Sequence, residues 1–166
     1  MSTTTHQPVA AEEFRTLMSE FPTGVSVVTT YDPEGRPWGM TCSSLCSLSV
    51  TPPTILVCLR AESPTLAALL ETGTFAVNLL HGEARSTAAL FASGDADRFD
   101  RLPWSPGPGG PHLVGRTHAV ADCRVTRTAD GGTHVVVFGE VIGVGTAPER
   151  RPLLYGRRRY STWPEA

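Results

Sequence analysis

The chain has 166 residues, enough for one domain whose core needs neither disulfides nor a metal. Hydrophobic residues make up 40% and charged residues 18%, and a formal net charge of −2 excludes the electrostatic footprint of a nucleic-acid or anionic-lipid binder. Sixteen Gly and fourteen Pro favour short strands joined by turns over a helical bundle.

Residues 1–8 read as a disordered tail and residues 9–166 as one domain. Residues 1–11 are polar and small rather than basic then apolar, so no secretory leader is expected. Phe14, Leu17, Met18 and Phe21 recur at helical spacing and predict an amphipathic helix that Pro22 and Gly24 end. The β-branched run 25–30 predicts a strand, and the turn Asp32-Pro33-Glu34-Gly35 sends residues 38–41 back beside it. Residues 54–59, beyond Pro52-Pro53, predict a buried strand. Ser63 then caps a helix, with Pro64 at its first position and Gly73 past its end.

A strand over residues 75–80 and a helix over residues 83–92 follow. Residues 102–111 hold four prolines and three glycines and predict a long loop, read as a lid. Residues 119–127 and 134–144 flank Ala129-Asp130-Gly131-Gly132, a hairpin signal. Some six or seven strands against two or three helices predict a mainly β fold: an antiparallel β-barrel with peripheral helices, whose closure would remove exposed strand edges.

Cys42, Cys46, Cys58 and Cys123 form no C-x-x-C pair and have no histidine at metal-ligand spacing, so reduced thiols in a cytoplasmic protein without a metal are expected. No apolar run reaches the ~18 residues of a membrane span. Nucleophile-elbow, zincin and Gly-rich phosphate-loop patterns are absent, so any reaction would be carried by a cofactor.

The stretch Gly39-Met40-Thr41-Cys42-Ser43-Ser44-Leu45-Cys46-Ser47 sets hydroxyls, thiols and backbone N–H groups between two apolar strands. It could approach a flat heteroaromatic ring, or its hydroxyls could satisfy local backbone at a strand-to-loop crossing. Ser63 and Thr65, with Arg60 nearby, offer either a phosphate site at a helix N-terminus or plain capping. His134, after a Gly-Gly turn, fits a structural role as well as a catalytic one. Arg157-Arg158-Arg159-Tyr160 suits a solvated face, or a phosphate and a stacked ring.

In order and spacing these pieces resemble the flavin reductase-like family, the small reductase components of two-component flavin-dependent monooxygenases. The resemblance runs from about Phe21 to Tyr160. It rests on Phe21-Pro22-Thr23-Gly24-Val25, Gly39-Met40-Thr41 with Ser43-Ser44, Pro52-Pro53, Ser63 with Thr65, and Phe75-Ala76-Val77-Asn78. It continues through Phe91-Ala92, Phe99, Cys123-Arg124-Val125, His134 with Gly139-Glu140-Val141, and Pro152-Leu153-Leu154-Tyr155 leading to Arg159-Tyr160.

The resemblance implies an FMN-binding split barrel, a homodimer with flavin sites near the subunit interface, FMN or FAD as flavin, and NADH or NADPH as hydride donor. Reduced flavin would serve a partner monooxygenase. Met40, Thr41, Cys42, Ser43 and Ser44 would line the isoalloxazine ring, Cys58 and Leu59 its far edge, and Ser63 and Thr65 the phosphate; Gly39 and Arg60, beside them in the chain, are counted with the cofactor-binding residues. His134 matches the catalytic histidine facing the nicotinamide, and Arg159 and Tyr160 border the same cleft. Phe91 and Phe99 fall where the family covers the adenine end of FAD or of the dinucleotide. Cys42, Leu45, Cys46 and Thr133 depart from the family's usual residues. An oxygenase or oxidase acting directly on an organic substrate, or a non-enzymatic flavin-binding module, could use the same barrel; His134 and Arg159-Tyr160 favour the reductase.

Overall fold

The computed structural model describes residues 7–164; of the expected disordered tail, residues 1–6 lie outside the described residues. Helix α1 (Ala11–Ser19) leads through the short strand β1 (Thr23–Gly24) to the hairpin β2 (Ser26–Tyr31) and β3 (Pro37–Cys42). A second hairpin, β4 (Cys46–Val50) and β5 (Pro53–Arg60), precedes α2 (Pro64–Thr72), β6 (Thr74–Leu80) and α3 (Arg85–Ser93). Then come the short pair β7 (Trp104–Ser105) and β8 (His112–Leu113), the long hairpin β9 (Thr117–Asp130) and β10 (His134–Thr146), and the closing pair β11 (Leu153–Gly156) and β12 (Arg159–Thr162).

An antiparallel sheet runs in the order β3-β2-β6-β9-β10-β5-β4, with β1-β11-β12 as a separate sheet. The expected closure is therefore incomplete: β3 and β4 remain edges and the barrel is split. The reason lies at residues 43–45. β4 pairs with β5 only as far as Cys46 opposite Leu56. Beyond that point the Ser44 hydroxyl takes over, donating to the Cys58 carbonyl at 2.9 Å and accepting the Cys58 N–H at 3.0 Å.

β2 reads as β-branched throughout because both of its faces are covered. Val27 packs with Leu80, Ala88 and Phe91, and Val28 with Val57, Leu59, Phe75 and Val137. Its buried hydroxyls each find a carbonyl: Ser26 that of Cys42 at 2.8 Å, Thr29 that of Pro111 at 2.7 Å, Thr30 that of Thr74 at 2.8 Å. Helix α2 forms as its sequence suggests. The Ser63 Oγ accepts the Thr65 N–H at 3.2 Å, and Gly73 ends the helix at φ 72°.

The segment 102–111, expected as a lid, is instead pinned to the barrel. Gly109 and Gly110 lie so close to the carbonyls of Phe75 and Thr29 that neither has room for a Cβ. The buried Asn78 donates to the Pro111 carbonyl at 3.1 Å and accepts the Leu113 N–H at 2.9 Å. Asp122, also buried, accepts from the Gly109 N–H and from His112 Nε2, each at 2.9 Å. Proline and glycine here allow close approach of main chain to main chain rather than motion.

Helix α1 is amphipathic as expected, yet it buries none of its residues. Phe14, Leu17, Met18 and Phe21 are all exposed. Polar contacts with the β11–β12 turn hold the helix in place. The Arg157 N–H donates to the Ser19 carbonyl at 2.6 Å, and Glu20 and Glu12 pair with the Arg157 and Arg158 guanidinium groups. Arg157 and Arg158 occupy the left-handed region at φ 50° and 59°. Two residues of the arginine run are thus turn residues in exposed ion pairs.

The β2–β3 turn is organised by Asp32. Burial opposes its ionisation, but hydrogen bonds from Trp38 Nε1 (3.1 Å), the Arg36 N–H (2.8 Å) and Arg36 Nε (2.8 Å), with the guanidinium charge, hold its pKa at about 2. A folded pKa below the unfolded value of about 4 contributes stability above pH ~4 that is lost as pH falls towards ~2. Asp32→Asn is therefore expected to flatten the acid side of the stability profile, read as urea midpoints against pH. An unaltered acid side would assign that loss to other carboxylates.

Candidate active site

A cavity of about 630 Å³ opens where β3 lies between α2 and the chain leaving α3. The start of β3 with Arg36 forms its floor, Arg60 and the N-terminus of α2 one wall, and Phe91 through Asp100 the other. Gly39 is needed here for close approach: a Cβ would stand 3.0 Å from the Phe91 ring and 3.1 Å from that of Phe99. These two rings meet edge to face, 5.1 Å between centroids, and are largely core residues that present edges to the cavity.

Of the residues expected at the site, Gly39, Met40, Arg60, Ser63, Thr65, Phe91 and Phe99 line this one cavity. The Ser63 hydroxyl donates to the Met40 sulfur at 3.2 Å, which joins floor to wall. The rest of the polar stretch is divided. Thr41 donates to the Ala88 carbonyl at 2.7 Å and so anchors α3. Cys42 is buried, its sulfur 3.1 Å from the Ser44 hydroxyl, and burial pushes its thiol pKa up. Ser44 braces Cys58 as described, and Ser43 faces a second hollow of about 360 Å³ walled by residues 21–26. Much of this stretch therefore satisfies local structure. Leu59 has its side chain fully buried in the core. Burial also raises the Cys123 thiol, to about 12, so it is no nucleophile.

His134 is exposed at the start of β10, directly opposite Arg60 on β5, and its Nδ1 lies 3.0 Å from the Thr133 hydroxyl. That register sets both side chains on one face of the sheet, with Arg60 lining the cavity and His134 outside its lining. Arg159 and Tyr160 lie on β12 and do not line the cavity; Tyr160 packs against Tyr155 and beneath the Arg85 guanidinium.

Trp38 and Arg98 also line the cavity but stand in no motif singled out from the sequence. Arg98 is 93% buried by exposure of 7%, and its one hydrogen bond among the described residues is to the Asp95 carbonyl at 3.1 Å. The neighbouring carboxylates of Asp95 and Asp97 are taken by Arg101. Burial pushes the Arg98 pKa down, as expected of a cation short of counter-charge. Arg60 likewise makes no ion pair among the described residues, whereas Arg36 is neutralised by Asp32 and Glu34. The donors facing this space are thus two spare guanidinium groups and a capped helix N-terminus, beside aromatic edges. That donor set fits a phosphorylated aromatic nucleotide such as a flavin.

A split antiparallel barrel carrying such a cavity defines a nucleotide-binding β protein. The chain belongs to the flavin reductase-like family: the model of the "Flavin reductase like domain" matches residues 18–164. The chain is 46% identical over 159 residues to a flavin reductase (NADH) of Kitasatospora aureofaciens, covering 94% of this chain and 83% of that one. It is 40% identical over 158 residues to the flavin-dependent monooxygenase reductase subunit HsaB of Rhodococcus jostii, covering 92% and 80%. The solved structure of the Streptomyces globisporus C-1027 NADH:FAD oxidoreductase SgcE6, in complex with NAD and FAD fragments, superposes with a TM-score of 0.87 at 32% identity, covering 96% and 98%.

Proposed function

We infer that the chain is an NAD(P)H:flavin oxidoreductase that reduces FMN or FAD and supplies the reduced flavin to a partner monooxygenase. Relatives named as NADH- and NADPH-dependent flavin reductases, and as reductase subunits of monooxygenases, support this reading. The observation that carries it is the cavity in which the capped N-terminus of α2 and two arginines that make no ion pair among the described residues converge. A bound flavin would supply the redox chemistry, accepting hydride from the reduced nicotinamide. The chain's own task is positioning. Ser63, Thr65 and Arg60 would hold the phosphate at the positive end of α2. Gly39 and Met40 would provide the floor, and the edges of Phe91 and Phe99 would exclude water. No side chain is required as a base for hydride transfer.

His134 would orient the nicotinamide at the rim beside Arg60. His134→Ala is expected to slow flavin reduction by NADH on the order of tenfold, the effect of losing one hydrogen bond of about 1–2 kcal/mol, with flavin affinity unchanged. Stopped-flow reduction and a flavin titration measure the two separately. An unchanged reduction rate would leave His134 a surface residue.

The apolar face of α1 supports a homodimer. Four large side chains (Phe14, Leu17, Met18 and Phe21) stand exposed on a segment tied to its own barrel by polar contacts with the β11–β12 turn. The partner subunit would cover them and bring Arg159 and Tyr160 to a completed cleft. Among the described residues no helix is long and apolar enough to cross a membrane, and the four cysteines are free, which accords with a cytoplasmic setting.

A further inference from the structure

Arg98 has no task in holding a mononucleotide. It lies on the wall opposite α2, with β3 between, so a phosphate seated on the Ser63 cap would leave it facing the cavity without a counter-charge. Arg98 is 7% exposed as a residue and bonded among the described residues only to the Asp95 carbonyl, a position that favours the arrival of an anion. The same cavity is lined by Trp38, half-buried and so able to offer its ring to a purine, with the largely buried Phe91 and Phe99 behind it. On its own segment the carboxylates of Asp95 and Asp97 are engaged by Arg101, while that of Asp100 stands at the same cavity wall.

We infer that Arg98 grips the second phosphate of a pyrophosphate-linked dinucleotide whose first phosphate sits at the N-terminus of α2, so that the cavity selects FAD over FMN. This rests on the reading of α2 as the flavin phosphate site. The planar fork of arginine suits a phosphate bidentately, and only the dinucleotide flavin offers one at that place. The nicotinamide nucleotide carries the same pyrophosphate, so the experiment must separate the two sources.

The test is a set of dissociation constants from flavin fluorescence, for FAD and for FMN, on wild-type protein, Arg98→Gln and Ser63→Asp, with thermal melts of each. In wild type, FAD is expected to bind at least about tenfold more tightly than FMN, and ADP to displace it. Arg98→Gln is expected to lose about 10- to 100-fold in FAD affinity, the range of a charge-assisted contact, while FMN affinity stays within about twofold. Arg98→Lys, keeping the charge without the fork, should fall between. Equal affinities for FAD and FMN in wild type would overturn the inference, and that comparison needs no variant to fold. An equal loss for both flavins in Arg98→Gln would also overturn it. So would an unchanged FAD affinity with a raised KM for NADH in the presence of FMN, which would give the pyrophosphate to the nicotinamide nucleotide. Retention of FMN affinity by Ser63→Asp, by contrast, would remove the α2 phosphate site itself, whatever Arg98 does.

Discussion

Replacing Ser63 with Asp is expected to weaken flavin binding by about 30-fold while leaving the melting temperature unchanged. Aspartate caps a helix as well as serine, so the Thr65 N–H keeps its acceptor, and a carboxylate is favourable at that end of the helix. The same charge stands where a flavin phosphate would sit. Two unit charges about 4 Å apart repel by about 4 kcal/mol at an effective dielectric of 20; with half of that screened away, about 2 kcal/mol remains, or roughly 30-fold. Thr65 is the poorer target because it is fully buried, and a carboxylate there would threaten the fold itself. Flavin fluorescence titration reads the affinity. Wild-type affinity in Ser63→Asp would mean that α2 does not hold the phosphate.

The largest effect on stability is expected from Asp122→Ala. Its carboxylate is buried and accepts from both His112 and the Gly109 N–H, so its removal orphans two donors at once. Breaking such a set costs about 2–4 kcal/mol. For a domain of this size that corresponds to a fall in Tm of roughly 5–12 °C. The segment 102–111 should also become more open to proteolysis, because the Gly109 end loses its anchor while the bonds of Thr29 and Asn78 at the Pro111 end remain. A Tm within about 2 °C of wild type would show that Asn78 and Thr29 hold the segment without Asp122.

These two sites differ in how far the sequence reveals them. Ser63, Pro64 and Gly73 announce α2 because capping is local: the residue types that start and stop a helix act within one turn. The β9–β10 hairpin is equally legible, from a glycine-bearing turn between two apolar runs. The pinning of residues 102–111 is not, since it depends on Asn78 and Asp122, 33 and 13 positions from their partners. Proline and glycine spacing alone reads the same for a mobile lid and for a segment pressed against main chain. The polar stretch 39–47 misleads in another way. Hydroxyls that could face a ligand are spent on Ala88 and Cys58, which only the meeting of β3 with α3 and β5 discloses. Arg98 escapes notice for the opposite reason. An arginine among aspartates looks like a solvated face until the structure buries it and gives its neighbours to Arg101. The resemblance supplied the split barrel and fewer than half of the residues lining the cavity, because it joins distant segments that periodicity treats separately.

The central claim is that this chain passes electrons from a reduced nicotinamide to a flavin, with no organic substrate of its own. Its most direct test is anaerobic mixing of catalytic amounts of protein with NADH or NADPH and either flavin, followed by the visible absorbance of the flavin. The expected result is bleaching by at least one nucleotide at a rate proportional to protein, with colour and peroxide returning together when air is admitted. Flavin that keeps its colour with both nucleotides, while still bound to the protein, would contradict the reductase function and leave a flavin-binding module.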